Sequence, residues 1–297
     1  MKRVLNFGSI NVDHVYTVEH FVRPGETISC HEYRRFAGGK GLNQSIALAQ
    51  AGALVYHAGK VGAEDTWLKT LMEDKGVDTR FVETINGPSG HAIIQVNAAG
   101  ENSIVIVGGA NQLMSESDVQ RIVTDFGKDD YLLVQNEVNA VPQIIRSAKA
   151  QGLTIVFNPA PMTPQVLNYP LELVDILVLN ETEARSLTGE NEPEKIYETL
   201  NHRYPNMALV LTMGHKGADY FSSQVRFHQP AEKVHVVDST GAGDTFIGFF
   251  LAELIKTNDP KAALAYATRA AAICVTRHGA ADSIPSRREL EATQQPI

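Results

Sequence analysis

The run Asp238-Ser239-Thr240-Gly241-Ala242-Gly243-Asp244-Thr245-Phe246 sets two carboxylates around a glycine turn, where the residue pattern passes from strand to helix. Gly241 and Gly243 allow a tight reversal. The first amides of the helix that follows have no intrahelical acceptor, so they face whatever enters the turn. An anion there is favoured by those amides and by the helix dipole. Asp244, in the first helical turn, is placed to take a proton from a hydroxyl held about 3 Å away. These residue types suit phosphoryl transfer; the same spacing also reads as an ordinary loop with an N-cap acid.

Other polar residues stand at comparable junctions. Asn11 and Asp13 follow the apolar stretch Val4 to Phe7 at alternate positions, so an extended backbone turns both the same way, as a ligand clamp or a turn cap. Gly38-Gly39-Lys40-Gly41 precedes a helical pattern from Leu42 to Ala51 and offers Lys40 and Asn43 as donors; a solvated turn explains it equally well. Asn180 and Glu183, at i and i+3, suit either a Mg2+ held through water or a capping box. The ten histidines form no metal-binding spacing. Gly8 stands alone after the first strand, so a dinucleotide fingerprint is missing, as are a Walker A loop and a G-x-S-x-G elbow.

The elements that must position these groups follow from periodicity. Apolar stretches at Tyr131 to Val134, Thr154 to Phe157, Ile176 to Leu179 and Ala208 to Thr212 alternate with helical patterns such as Val141 to Ala150 and Glu181 to Leu187. That order predicts an α/β fold with a largely parallel sheet covered on both faces. Such sheets bind ligands beyond the carboxyl ends of their strands. Gln135, Glu137, Asn158, Asn180, Glu183, Thr212, Gly214, Asp238 and Asp244 all fall there and predict one crevice. Further helices are predicted over Thr66 to Lys75, Gly243 to Ile255 and Pro260 to Thr276. The run Ala270-Ala271-Ala272 in the last of these permits close packing against a neighbour or a flat ligand. Alternation through Thr27, Ile28, Cys30 and Tyr33, and in the hairpin pattern of His91 to Asn97 with Ser103 to Val107, predicts a small separate β-sheet, a candidate lid. Its segments, about 12–36 and 89–108, are read as insertions in a single domain spanning 1–297.

A formal charge of -8 without a concentrated Lys/Arg block opposes a nucleic-acid or anionic-membrane partner. No stretch has signal-peptide or membrane-span character, which makes the cytoplasm the expected location. Cys30 and Cys274 lie far apart and outside any paired motif, against a disulfide framework or structural zinc.

Taken together, the motifs resemble those of the PfkB-type carbohydrate kinase family. The N-terminal signature matches Phe36-Ala37-Gly38-Gly39-Lys40-Gly41-Leu42-Asn43-Gln44 and continues through Gly59-Lys60-Val61-Gly62; the C-terminal one matches Asp238 through Gly248. The likeness runs over nearly the whole chain. It implies a ribokinase-like three-layer α/β/α body with a small β-sheet lid, and an enzyme using ATP and Mg2+ on a sugar. On individual residues it implies that Asn11, Asp13, Gly39, Lys40 and Asn43 line the sugar pocket, with Glu137 opposite. Asp244 would be the catalytic base, and the amides of Gly241, Ala242 and Gly243 an anion hole. Asn180 and Glu183 would organise Mg2+ and phosphate, Glu183 through water, while Thr212 and Gly214 would contact the nucleotide.

The resemblance further implies a monovalent-cation site, usually K+, formed by the Asp238 carboxylate, the Ser283 hydroxyl and carbonyls near Thr240, Cys274, Arg277 and Gly279. Gly25-Glu26-Thr27, Gly100-Glu101-Asn102, Gly109-Ala110-Asn111 and Asn158-Pro159-Ala160-Pro161 favour D-ribose as acceptor. Fructose, another sugar, a sugar acid or a nucleoside is the alternative, and a catalytically silent sugar-binding protein a remote one. Ser89-Gly90-His91-Ala92 departs from the family's usual T-G-V-A, and Asn136 stands where an apolar residue is expected, both near the expected sugar side. Exposed edges of a small β-sheet invite pairing, so a homodimer through the lid is expected.

Overall fold

The computed structural model describes residues 2–292. Among the described residues, thirteen strands fall into two sheets. Strands β1 (Arg3–Phe7), β4 (Leu54–Gly62), β5 (Asp78–Ile85), β8 (Tyr131–Gln135), β9 (Thr154–Asn158), β10 (Ile176–Asn180), β11 (Ala208–Thr212), β12 (Ala218–Phe221) and β13 (Arg226–Gln229) form the larger one. Its order is β13-β12-β11-β10-β9-β8-β1-β4-β5. From β11 to β5 all pairings are parallel, and β12 and β13 extend the other edge antiparallel. The smaller sheet, order β3-β2-β6-β7, contains β2 (Asn11–Thr17), β3 (Glu32–Gly38), β6 (Gly90–Val96) and β7 (Asn102–Val107).

Nine α-helices among the described residues connect and cover these strands: α1 (Lys40–Gln50), α2 (Trp67–Asp74), α3 (Glu116–Val123), α4 (Val141–Ala150), α5 (Glu181–Thr188), α6 (Pro193–Arg203), α7 (Ala242–Thr257), α8 (Pro260–Cys274) and α9 (Arg287–Ala292). Neighbouring strand residues point to opposite faces, and the core divides accordingly. Val4, Val55, Leu133, Val156, Val178 and Val210 pack with α1, α2, α7 and α8. Leu5, Leu132, Ile155, Leu177 and Leu209 pack with α3, α4, α5 and α6. Two apolar layers on one buried sheet make the α/β/α architecture. Each fully buried Leu, Val or Phe contributes about 1.5–3 kcal/mol to it. No described helix is long and apolar enough to cross a membrane.

The structure corrects the alternation read through Thr27, Ile28 and Cys30. Strand β3 begins only at Glu32, and residues 26–30 form no ladder, because the Pro24-Gly25 turn carries them along the surface without a partner strand. The helix expected to reach Thr276 closes at Cys274; Thr276 Oγ1 turns back to the Ile273 carbonyl at 2.7 Å.

Candidate active site

Three chain segments converge because two glycines let them. A Cβ on Gly8 would lie 2.4 Å from the Gly41 Cα, so the β1–β2 junction and the start of α1 approach at backbone distance. Leu42 N donates to the Ser9 carbonyl at 2.9 Å and locks that approach. Asn11, the α1 N-terminus and the end of β8 are thereby brought to one place.

Asp244 is the centre of this arrangement. Gly241, in the left-handed conformation at φ 75°, reverses the chain and starts α7, which puts Asp244 in the first turn. Only 9% of Asp244 is exposed. Asn43 Nδ2 donates to its Oδ2 at 3.0 Å and Gln44 Nε2 to its Oδ1 at 2.9 Å. Burial pushes its pKa up; the Lys40 charge and these two hydrogen bonds pull it back. The carboxylate is thus fixed, and its affinity for a proton is raised.

Around it lie the other residues expected to meet a sugar. Asn11 Oδ1 accepts from Asn111 Nδ2 at 2.6 Å, and among the described residues nothing accepts from the Asn11 amide nitrogen. Asp13 lies on the same face of β2 as Asn11, partly buried, and among the described residues nothing donates to its carboxylate. Burial, helped by the nearby Glu137 charge, raises its pKa to about 6. Glu137 Oε2 accepts from Lys40 N at 2.9 Å and from the Ser9 hydroxyl. Burial pushes Glu137 up too, against the pull of Lys40. The Lys40 ammonium is held above its ordinary pKa chiefly by Asp244, then by Glu137 and Glu183. Gly39 is the N-cap of α1, immediately ahead of Lys40.

On the other side of Gly243 a cavity of about 670 Å³ opens, lined by Thr212, Gly214, Val234, Val236, Ala242, Gly243, Phe246, Ala271, Ala272 and Val275. Its walls are largely apolar. The buried Thr268 hydroxyl, also in the lining, has no hydrogen-bond partner among the described residues, and nothing in the sequence motifs singles it out. Such an orphaned group, with small Ala271 and Ala272 alongside, fits a planar base bearing polar edges. The N-terminal amides of α7 are not all alike. Ala242 N bonds the Ser239 carbonyl at 3.3 Å, whereas among the described residues nothing accepts from Gly241 N or Gly243 N. Of the three amides expected to meet an anion, that of Ala242 is thus engaged within the turn, and those of Gly241 and Gly243 have no acceptor among the described residues.

Asn180 and Glu183 make a reciprocal capping box: Asn180 Oδ1 accepts from Glu183 N at 2.8 Å, and Glu183 Oε2 from Asn180 N at 3.0 Å. Glu183 also takes Asn180 Nδ2 at 2.9 Å, so its oxygens suit a metal through water better than directly. The residues expected around a monovalent cation also meet. Asp238 accepts from Thr240 N at 2.9 Å and Gly279 N at 3.0 Å, and the Cys274 thiol lies 3.0 Å from Ser283 Oγ. The Cys274 carbonyl accepts from Arg277 N at 3.1 Å, closing the loop that leads to Gly279. The Asp238 carboxylate, the Ser283 hydroxyl and the Thr240 carbonyl, which lies 3.8 Å from the Cys274 thiol, are oxygen donors of the kind a hard cation takes.

Both departures noted near the sugar side point elsewhere. His91 pairs with Val12, so its side chain lies on the face of the small sheet opposite Asn11 and Asp13, edge-on to His14. Asn136 Nδ2 donates to the Pro161 carbonyl at 2.8 Å and its Oδ1 accepts from Tyr169, which ties it to the following loop.

The family model of the pfkB family carbohydrate kinases matches residues 1–287. A ribokinase of Staphylococcus aureus (strain COL) is 37% identical over 301 residues, with 97% of this chain and 98% of the relative covered. A deoxyribokinase of Salmonella typhi is 34% identical over 292 residues, 94% of each chain. The structure of Arabidopsis thaliana ribokinase complexed with ribose and ATP superposes with a TM-score of 0.89 at 31% identity, over 100% of this chain and 99% of that one. With motifs, architecture and full-length likeness in agreement, the chain belongs to the pfkB family of carbohydrate kinases and is an enzyme that phosphorylates a sugar.

Proposed function

We propose that the protein is an ATP-dependent ribokinase, converting D-ribose and ATP to D-ribose 5-phosphate and ADP. The observation that carries this reading is the position of Asp244: a buried, doubly anchored carboxylate between the Asn11, Asp13 and Glu137 pocket and the cavity beyond Gly243. The sugar's primary hydroxyl oxygen attacks the γ-phosphorus in line. Its bond to phosphorus forms as the β–γ bridging bond breaks, ADP leaves, and the hydroxyl proton passes to Asp244. Gly241 and Gly243 N face charge on the transferring group. Lys40, between Asp244, Glu137 and Glu183, offsets the negative charge that gathers at the junction.

Ribose is favoured over less hydroxylated acceptors by the groups waiting for partners. The Asp13 carboxylate and the Asn11 amide both need hydroxyls, and a site built to pair them discriminates strongly against an analogue lacking one. The full-length relatives support the same choice, with deoxyribose the competing acceptor.

Glu183 would hold Mg2+ through water, and Mg2+ when bound would neutralise phosphate charge. Asp238, Ser283 and the carbonyls of Thr240, Cys274, Arg277 and Gly279 would hold K+ and stiffen the Gly241 turn. The small sheet would act as a lid over the sugar, excluding water as a competing acceptor. Its bare edge strand β7 would pair two protomers as a homodimer. A coupled ADP-release assay across ribose, deoxyribose, fructose and nucleosides, with and without K+, tests the reading; a preference for any acceptor other than ribose overturns it.

A further inference from the structure

Behind Asp244 runs a chain of buried polar side chains, none of which lines the cavity beyond Gly243. Gln44, fully buried on α1, donates Nε2–H to Asp244 Oδ1 at 2.9 Å and accepts at Oε1 from Gln135 Nε2 at 2.7 Å. Gln135, fully buried at the end of β8, gives its other amide hydrogen to Asn6 Oδ1 at 3.0 Å. Asn6 in turn donates to Ser45 Oγ at 2.8 Å and to the Gly41 carbonyl at 2.9 Å. Ser45 Oγ meets His57 Nδ1 at 2.8 Å, and His57 Nε2 meets the Gly8 carbonyl at 3.1 Å.

The direction of every bond in this chain is forced. A carbonyl only accepts, so His57 Nε2 carries the proton and Nδ1 accepts from the Ser45 hydroxyl. Ser45 then has its oxygen free for Asn6 Nδ2, which turns Asn6 Oδ1 toward Gln135. Both Gln135 amide hydrogens are committed, one to Asn6 and one to Gln44. The Gln44 oxygen therefore faces Gln135 and its amide nitrogen faces Asp244; flipping it would set an oxygen against the carboxylate. Burying so many polar groups is costly, and the Gln135 oxygen has no partner among the described residues. Apolar side chains of the same size would pack there at lower cost, so the relay calls for a role beyond packing.

We propose that Gln44, oriented by Gln135 and Asn6, is a positioning residue that holds the Asp244 carboxylate in the geometry for accepting the sugar proton. This inference rests on Asp244 being the base. Gln44 acts on a carboxylate that also faces Lys40 from the start of α1, Glu137 from the end of β8 and Glu183 from α5. None of those three is tied to Asp244 by a hydrogen bond among the described residues, so Gln44 and Asn43 alone set the orientation of its oxygens.

The test compares Gln44→Met and Gln135→Met with the unaltered protein, using D-ribose and MgATP. Loss of the Gln44 donor is expected to lower kcat by about 10- to 100-fold with the sugar KM within about twofold. The acid limb of the kcat–pH profile should move to higher pH, because a carboxylate that loses a donor binds its proton more tightly. Gln135→Met, which touches neither substrate nor Asp244, should move the same limb in the same direction by less. It also decides the matter if Gln44→Met fails to fold. A wild-type kcat and acid limb in the folded variants overturns the proposal, as does a lowered melting temperature with both unchanged, which would make the relay packing only. Asp244→Asn separates the two ideas: wild-type turnover there sinks the base itself, whereas an inactive Asp244→Asn beside a normal Gln44→Met sinks only the relay.

Discussion

Asn43 Nδ2 and Asp244 Oδ2, 201 residues apart in the chain, meet at 3.0 Å across the junction of α1 and α7. The contact joins the two signature motifs physically: the glycine-rich start of one helix supplies the donor, and the glycine turn before the other supplies the carboxylate. Sugar-side and phosphate-side elements are thus registered against each other through one side-chain pair.

Replacing that carboxylate isolates its role. Asp244→Asn keeps size and one acceptor oxygen, so either Asn43 or Gln44 loses a partner while an uncomfortable buried charge disappears. Opposing effects should leave stability within about 2 kcal/mol of the original. The expected kcat loss is at least ~100-fold, the low end for a lost general base, with nucleotide affinity nearly unchanged. Single-turnover kinetics and calorimetric nucleotide titration check both halves. Near-normal turnover would remove Asp244 from the role.

Asp13 should display a conflict between binding and stability. Its pKa is about 6 in the fold against an ordinary 3.8, so the folded chain holds this proton more tightly than the unfolded one. The sign follows: its contribution is most favourable below pH 3.8 and is lost as pH rises through about 6. At neutral pH the unpartnered charge costs up to about 3 kcal/mol. Asp13→Asn is therefore expected to stabilise the ligand-free protein at pH 7, with the gain fading toward pH 4, while raising the sugar KM about 10-fold or more. Denaturant titrations at the two pH values, paired with coupled kinetics, measure the trade-off. A variant equally stable at neutral pH would show that Asp13 bears no such burden.

Much of this was legible in the residues and some was not. The strands of the parallel sheet announce themselves because both faces are buried and the runs are continuously apolar, as in Leu132 to Val134. The Asp244 turn was readable because glycines and a carboxylate sit within one short run, and the alanine run left close packing or a flat ligand open; Ala271 and Ala272 line the cavity. Strands β12 and β13 are only four residues long, β13 is half exposed, and helix α6 carries a largely polar surface, so none of them gives a strong periodic signal. The relay behind Asp244 was out of reach for a different reason. Gln44 lies 91 residues from Gln135, and Asn6 lies 129 from it, so only the parallel pairing of β1 with β8 and the seat of α1 bring them together.

His57 makes the fold acid-sensitive. Burial drives its pKa from 6.5 to about 4, against the hydrogen bond to the Gly8 carbonyl that favours the charged ring. The folded chain thus binds this proton more weakly than the unfolded one. Stability from this group is intact above pH 6.5 and is lost as pH falls toward 4. The loss reaches about 3 kcal/mol, partly masked below pH 6 by the opposite trend of Asp13. In an Asp13→Asn background the decline between pH 6.5 and 4 should steepen, and His57→Gln should flatten it at some cost in stability at pH 7. Urea midpoints across that range supply the measurement, and an unaltered slope in His57→Gln would clear the histidine.

Strand β7 is the edge of the small sheet, and both its faces are open: Ile104, Val105 and Ile106 are 49%, 60% and 61% exposed. An apolar strand with unpaired backbone groups is a template for association, and nothing in it resembles the charges that usually guard such edges. Val105 aligns with Ile93 and, through it, with His14, so it stands on the face opposite Asn11 and Asp13. A lysine there adds charge without entering the sugar pocket. If two protomers pair through this sheet, Val105→Lys should convert a dimer to a monomer in sedimentation velocity while the melting transition of the body is kept. A species of unchanged size would place the subunit contact elsewhere, and a monomer before the substitution would leave β7 without a partner of its own kind.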